Sequence, residues 1–371
     1  MGVKVKTRCI VWARAAGRCQ FPGCNTSLIG DLIAGNDTLN AGYIAHIVAD
    51  SADGPRGDPV RSPILADDPA NLMLMCDAHH RLIDRDEIDI YPEERLLAIK
   101  AAHEARIDLA SDMAPDRASH ILRFAATIGV NEGAISLSAC RSAMQATHYP
   151  VSRTPIDLSM TGLTLPDNHP DFFRLQAENL RRQFDSKVHG RLESQEIAHL
   201  SVFALAPMPL LIELGRLLSD ITPTSVYQLH REPKGWTWAN DAAPLDFVET
   251  RSDRLAGSVA LKLHISASIS DERIYEVLGD DTAVWSLGVA DPHNDCVRQP
   301  ADISAFRHRL RRLFNDIKHQ HGEHCDIKLF PAVPVSVAVE IGRVWMPKAD
   351  LPLQIYDQSK QDGFLLRHQL R

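Results

Sequence analysis

The sequence predicts a two-domain protein, a small α+β domain stapled by metal ligands followed by a larger α/β domain built by duplication. Three observations carry this reading. A chain of 371 residues exceeds one ordinary core. Cysteines and histidines gather at ligand spacing within the first hundred residues. Strand-like and helix-like segments alternate over the remainder, where one set of residues recurs at a constant offset.

The elements follow in order. Alanine- and arginine-rich residues predict a helix from about Thr7 to Arg18. "YPEERLLAIKAAHEARIDLA" predicts another, with Pro92 near its start, then acids, then apolar residues at helical spacing. "SDMAPDRAS", residues 111–119, is polar and holds Pro115, and the boundary between domains 1–113 and 118–371 is placed there. Beyond it, "IDLSMTG", "HLSVFALA" and "SVYQLHR" read as strands, and "PDFFRLQAENLRRQFDSKV" and "PLLIELGRLLSDI" as helices. This order implies a largely parallel sheet.

Phe203, Pro207, Glu213, Gly215 and Arg216 recur with one offset as Phe330, Pro334, Glu340, Gly342 and Arg343. "LRRQF" at 180–184 answers "LRRLF" at 310–314, and "IDLSM" answers "WSLGV". Each copy reads strand, helix, strand, proline-bearing turn, helix, strand, which duplication explains. A duplicated unit creates a pseudo-twofold axis, and open parallel sheets bind ligands beyond the carboxyl ends of their strands. That position falls on the turns "FALAPMP", residues 203–209, and "FPAVP", residues 330–334. A pocket with such symmetry suits a ligand with two similar halves, such as a cyclic dinucleotide or somewhat larger cyclic oligonucleotide. Pro207, Met208 and Pro334 are the candidate walls. Trp236 and Trp238 are candidates to stack on a base, reading as alternate residues of a strand, with core packing as the competing role. Arg216 and Arg343 read as holding the fold, and His319, His321 and His324 in "KHQHGEH" as a solvated helix end.

Composition narrows the functional classes. The formal net charge is −8, so no global basic field marks the chain for nucleic acid, and any DNA contact must come from a local patch or a metal. No apolar run has the length of a membrane span, and the N-terminus lacks a cleavable signal. Gly2 follows Met1, but Lys6 stands where a myristoylation signal wants Ser or Thr. The expectation is a cytoplasmic protein without a membrane partner. Its seven cysteines are then expected to be reduced.

"RCQFPGC" presents Cys19 and Cys24 about a Pro-Gly turn, and "CDAHH" adds Cys76 and His79. Together they make a Cys3His set suited to structural Zn²⁺. His80 is left over, and adjacent helical residues point about 100° apart, so His79 and His80 belong to different centres. The remaining order is His46 in "YIAHIVAD", then Asn71, then His80.

This pattern, over about residues 7–108, resembles the HNH endonucleases, whose ββα-metal fold uses one divalent ion for phosphodiester cleavage and often a zinc ion as scaffold. The resemblance implies His46 as general base, Asn71 as the residue that fixes the loop and orients that base, and His80 as ligand to a catalytic Mg²⁺ or similar ion. Asp84, four residues on and on the same helix face, is a further candidate for that ion. Many HNH enzymes carry an acid or histidine just before the base, where this chain has Ala45, so the shell is either thinner or filled by Asp84, Asp50 or water. Arg56, in a Gly-Pro-Arg-Gly turn, is the candidate grip for a DNA phosphate, against a solvated loop charge.

The segments "HLSVFALAPMPLLIELGRLLSDITPTSVYQLHREPKGWTW" and "DIKLFPAVPVSVAVEIGRVWMPKADLPLQIYD" resemble the SAVED domain, two fused CARF-like halves, over about residues 118–371. The combined resemblance implies a CBASS antiphage effector. A cyclic oligonucleotide from a partner nucleotidyltransferase would drive homo-oligomerisation, and the HNH domain would then degrade double-stranded DNA. Two other readings stand beside it: a modification-dependent HNH restriction endonuclease with a DNA-sensing C-terminal domain, and a non-enzymatic zinc-containing nucleotide sensor.

Overall fold

In the computed structural model the described residues are 2–31, 36–112, 115–128, 134–159, 165, 169–239, 241–359 and 363–371. They form two compact units, Met1–Ala114 and Pro115–Arg371. No helix among them is long and apolar enough to cross a membrane.

In the first unit, a helix at Val5–Arg14 buries Thr7 and Val11. It is shorter than the expected Thr7–Arg18, because Ala16 and Gly17 both take positive φ and turn the chain. The strands Gly42–His46 and Leu72–Cys76 pair antiparallel, with His46 opposite Leu72 and Gly42 opposite Cys76. The helix Asp77–Arg81 follows the second strand directly and runs on into a π turn, Leu82–Asp86. A long helix, Glu93–Ser111, starts behind Pro92 with Glu93 and Glu94 in its first turn, where acids suit the positive end of the helix dipole. Leu72 to Met75 are all fully buried against Val11, Leu28, Ile83 and Leu96, so one apolar strand forms the centre of this core.

The second unit repeats one strand arrangement in two halves. In the first half, Ala118–Ala125 is flanked on one side by the short strands Tyr149–Pro150 and Ile156–Asp157. On its other side lie Leu200–Leu205 and then Thr224–Val226, all parallel. In the second half, Val259–His264 lies between Ala283–Val289 and Ile327–Ala332, and Leu353–Ser359 comes next, again all parallel. The strand order is the same in both halves. Two antiparallel edges, Phe247–Thr250 and Gly363–Leu370, complete the second sheet. "IDLSM" is a strand only at Ile156–Asp157, with Met160 outside the described residues. "SVYQLHR" is a strand only at Thr224–Val226; His230 and Arg231 pair instead with Lys234 and Gly235 in a hairpin.

The two halves meet through the helices Met208–Leu218 and Val335–Val344. A Cβ on Gly215 would sit 1.9 Å from the Val339 carbonyl oxygen, and one on Gly342 would sit 1.9 Å from that of Ile212. Only glycine permits so close a helix crossing. Beside it, Glu213 and Glu340 are both buried. Glu213 accepts from Arg181 Nε at 2.6 Å and Arg216 Nε at 3.0 Å, and lies 2.9 Å from His368 Nε2. Glu340 accepts from Arg343 Nη1 at 2.8 Å and lies 3.2 Å from Arg307 Nε. Arg216 and Arg343 therefore hold the fold. The repeat extends to an aromatic trio. Phe203 stacks on Tyr227 at 4.4 Å and meets Trp236 edge-on at 5.3 Å; Phe330 stacks on Tyr356 at 4.7 Å and meets Phe364 edge-on at 5.0 Å.

Candidate functional site

The Cys19, Cys24, Cys76 and His79 ligand atoms all lie within 4.8 Å of one another, the one cluster of three or more metal-ligating groups found among the described residues. The His79 Nδ1 is 3.1 Å from Cys76 Sγ and 3.6 Å from Cys19 Sγ. Zn–S and Zn–N bonds of about 2.3 and 2.1 Å set tetrahedral edges near 3.5–3.8 Å, so the set needs little adjustment to close on one ion. Local backbone does most of this. Cys76 ends its strand and His79 lies in the first turn after it, while Phe21-Pro22-Gly23 turns the chain between the other two thiols. Phe21 also stacks flat on the His79 ring at 4.0 Å, fixing its plane. Burial pushes the Cys19 thiol up to about 12. At Cys24 burial also acts upward, but hydrogen bonds centred on Thr26 outweigh it and lower the pKa. A buried thiol of this kind ionises when a cation takes its proton's place, so the donor set fits zinc.

His80 turns the other way. Its ring stacks on Tyr43 of the neighbouring strand at 5.2 Å, and its Nε2 lies 3.3 Å from Asp84 Oδ2. His46 ends the strand Gly42–His46 half-buried, and its Nε2 is 3.0 Å from the Ala66 carbonyl oxygen. A carbonyl only accepts, so in the neutral ring the proton belongs on Nε2 and the lone pair on Nδ1. Ala45 points into the core, 1% exposed, so that position offers nothing to an ion.

Two expectations need correction. The Asn71 side chain is hydrogen-bonded to the loop backbone, not to the imidazole of His46. It is buried, accepts from the Val48 amide at 2.8 Å, and donates to the Val48 carbonyl at 2.8 Å and the Leu65 carbonyl at 3.2 Å. It therefore fixes the loop after His46, while Ala66 selects the tautomer. Arg56 is no free phosphate grip. Its side chain is 8% exposed and donates to the carbonyls of Ile47, Ile83 and His46 and to Asp84 Oδ1 at 2.5 Å. Asp84 in turn reaches the His80 side with only its second oxygen, and Asp50 is exposed on the loop.

In the second unit, Pro207 and Pro334 each stand at the N-cap of a crossing helix, just beyond the carboxyl end of a strand. Both are buried, so their rings back the turn and do not line an open wall; Met208 and Val335 beside them are half-buried. Trp236 and Trp238 follow the hairpin, not a strand. Trp236 is 5% exposed with Phe203 against it, so it has no free face for a base. Trp238 is half-buried, 5.7 Å from His230 and 6.3 Å from Tyr227. Sequence reasoning missed Gln228, a buried side chain whose Oε1 accepts from Ser336 N at 3.1 Å and Ser336 Oγ at 2.7 Å. It ties the first half to the start of the helix in the second. His321 lies at the end of its helix and accepts from Trp285 Nε1 at 3.0 Å.

Comparison with known proteins adds the lineage. No curated protein matches the chain. Among solved structures, it is similar to the Acinetobacter baumannii Cap4 SAVED/CARF-domain containing receptor with the cyclic trinucleotide 2'3'3'-cAAA, at 11% identity and a TM-score of 0.43. That match covers 75% of this chain and 59% of that one. The Moraxella osloensis Cap4 SAVED/CARF-domain containing receptor gives 12% identity and a TM-score of 0.42, covering 75% and 58%. The chain thus spans less than two thirds of the length of these structures. A family model for the SMODS-associated and fused to various effectors sensor domain matches residues 180–365, half of the chain. That span holds both crossing helices, the two buried glutamates and both aromatic trios, and on it the chain belongs to the SAVED family of sensor domains.

Proposed function

We propose that the protein is a cyclic-nucleotide-activated, metal-dependent DNA endonuclease that acts in antiphage defence. The observation that carries the nuclease half is the divergence of two neighbouring histidines. His79 joins three thiolates while His80 faces Tyr43 and Asp84. The paired strands Gly42–His46 and Leu72–Cys76, with the helix Asp77–Arg81 directly after the second, are compatible with a ββα-metal centre and carry His46 and His80 on adjoining elements.

His46 would act as general base through Nδ1, since the Ala66 carbonyl holds the proton on Nε2. Asn71 would keep the loop after His46 in place. His80 and Asp84 would hold a Mg²⁺-like ion, which when bound neutralises charge on the scissile phosphate and leaving oxygen.

The sensing half is supported by membership of the SAVED family and by the pseudo-twofold. Both crossing helices begin about five residues, roughly 8 Å, before their closest approach, so their N-termini stand equivalently about the axis. Helix N-termini attract phosphates, and paired ones suit a cyclic oligonucleotide. Ligand-driven homo-oligomerisation would complete the gate.

Plasmid cleavage with Mg²⁺ tests the reading, comparing no ligand with a panel of cyclic di- and trinucleotides, for wild type and His46→Ala. Cleavage confined to particular ligands and lost in His46→Ala is the expected result. Cleavage without ligand would sink the gate and bring forward restriction of modified DNA.

A further inference from the structure

Arg56 belongs neither to the proposed base nor to the proposed ion ligands, yet it is the most heavily bonded side chain between them. Its backbone has φ +55°. That is left-handed space for a non-glycine residue, kept only where surrounding contacts dictate it. The next residue shows how tight the turn is, since a Cβ on Gly57 would lie 2.4 Å from the Ser51 carbonyl oxygen. The strained turn aims the guanidinium inward. There Nε donates to the Ile47 carbonyl at 2.6 Å and Nη1 to the Ile83 carbonyl at 2.8 Å. Nη2 reaches the His46 carbonyl at 3.4 Å and Asp84 Oδ1 at 2.5 Å.

Nη1 also reaches the Tyr91 carbonyl at 3.5 Å, but the shorter contacts come from two separate segments. His46 and Ile47 end the strand carrying the proposed base; Ile83 and Asp84 lie in the turn carrying the proposed ion ligands. By engaging Oδ1 of Asp84, Arg56 leaves Oδ2 facing His80 Nε2 at 3.3 Å. Neighbouring positions around a Mg²⁺ with bonds of about 2.1 Å are roughly 3.0 Å apart, so the two atoms stand close to the spacing of adjacent ligands.

We infer that Arg56 is a positioning residue that couples the two parts of the centre. It fixes the spacing between His46 and the His80–Asp84 pair, and it turns the free oxygen of Asp84 toward the ion. The inference rests on the nuclease reading above. A lysine keeps the charge but cannot fork to two segments at once.

The test is Mn²⁺ binding to the zinc-loaded full chain, followed by electron paramagnetic resonance, for wild type, Arg56→Lys, Arg56→Gln and His80→Ala, each with a thermal melt. Both Arg56 variants should bind Mn²⁺ 10- to 100-fold more weakly, the usual loss when an outer partner of a ligand is removed. Raised Mg²⁺ should restore part of the cleavage in Arg56→Lys. Variants that melt lower yet bind Mn²⁺ as wild type does would overturn the inference and leave Arg56 as a structural strut. If His80→Ala also binds as wild type does, the ion site of the nuclease reading fails with it; weakening in His80→Ala alone confines the failure to Arg56.

Discussion

Gly215 and Gly342 occupy equivalent positions in two copies of one unit, and each makes room for the other copy's backbone. Gly215 faces Val339 and Arg343, and Gly342 faces Ile212 and Arg216, the same two repeat positions on either side. This is the isologous contact of a symmetric dimer fused into one chain. The N-termini of both helices lie at the same end, since Arg343 near the close of one donates to the Ser219 carbonyl just past the close of the other.

Because a side chain at either glycine would meet backbone, Gly215→Ala and Gly342→Ala should force the helices apart. The expected cost is on the order of 3 kcal/mol or more, at the upper end for an overpacked core. Chemical denaturation of single variants measures it, and a cost below about 1 kcal/mol would show that the crossing relaxes freely. The same variants should respond more weakly to an activating ligand, because the paired helix ends would move.

The Cys3His cluster should carry one zinc per chain, measurable by elemental analysis. Binding at such a site contributes on the order of 10 kcal/mol to folding. Chelation, or Cys76→Ser, should therefore unfold the first unit, seen as loss of amide protection around the strand Leu72–Cys76. Full protection in metal-free protein would remove zinc from the account.

His46→Ala should lower the cleavage rate by about 10²- to 10⁴-fold, the range for loss of a general base. Asn71→Ala should act differently. It leaves the Val48 amide and carbonyl without their buried partner, at about 1–3 kcal/mol in stability, along with a loss of rate. An Asn71→Ala protein with unchanged melting and rate would contradict the role assigned here.

Acid should destabilise the second unit in two stages. His199, bonded to Ser119 Oγ at 2.8 Å and stacked on His148 at 4.1 Å, is pushed down to about 4 by burial, with help from His148 and Arg343. Between pH 6.5 and 4 the unfolded chain binds this proton and the native one does not, so stability falls as pH drops, by roughly 3 kcal/mol in total. Burial acts to raise Glu213, but hydrogen bonds from His368, Arg216 and Arg181 outweigh it and hold the carboxylate well below its usual range. Its contribution is present above the ordinary glutamate value and is lost as pH falls further. Urea titrations at a series of pH values should show both stages, and His199→Gln should shrink the upper one, to which His120, His148, His230, His264 and His321, also held down by burial, contribute. Equal wild-type stability at pH 7 and pH 5 would contradict the His199 stage.

What the sequence determined is what the backbone fixes over short spans. Cys76 and His79 meet because a strand end and one helical turn set their separation, and the Pro-Gly turn does the same for Cys19 and Cys24. The duplication was legible from Phe203 to Arg216 because those residues keep one offset in the second copy. The opening strands, Ala118–Ala125 and Val259–His264, escaped notice because intervening loops of different length break that offset. Tertiary structure decided where longer-range side chains point. A positive φ buries Arg56 in the first unit; Phe203 claims Trp236 for the core; a loop, not an imidazole, receives Asn71. Spacing along the chain survives folding unchanged, whereas the direction of a side chain depends on backbone angles and on partners that folding brings in from elsewhere.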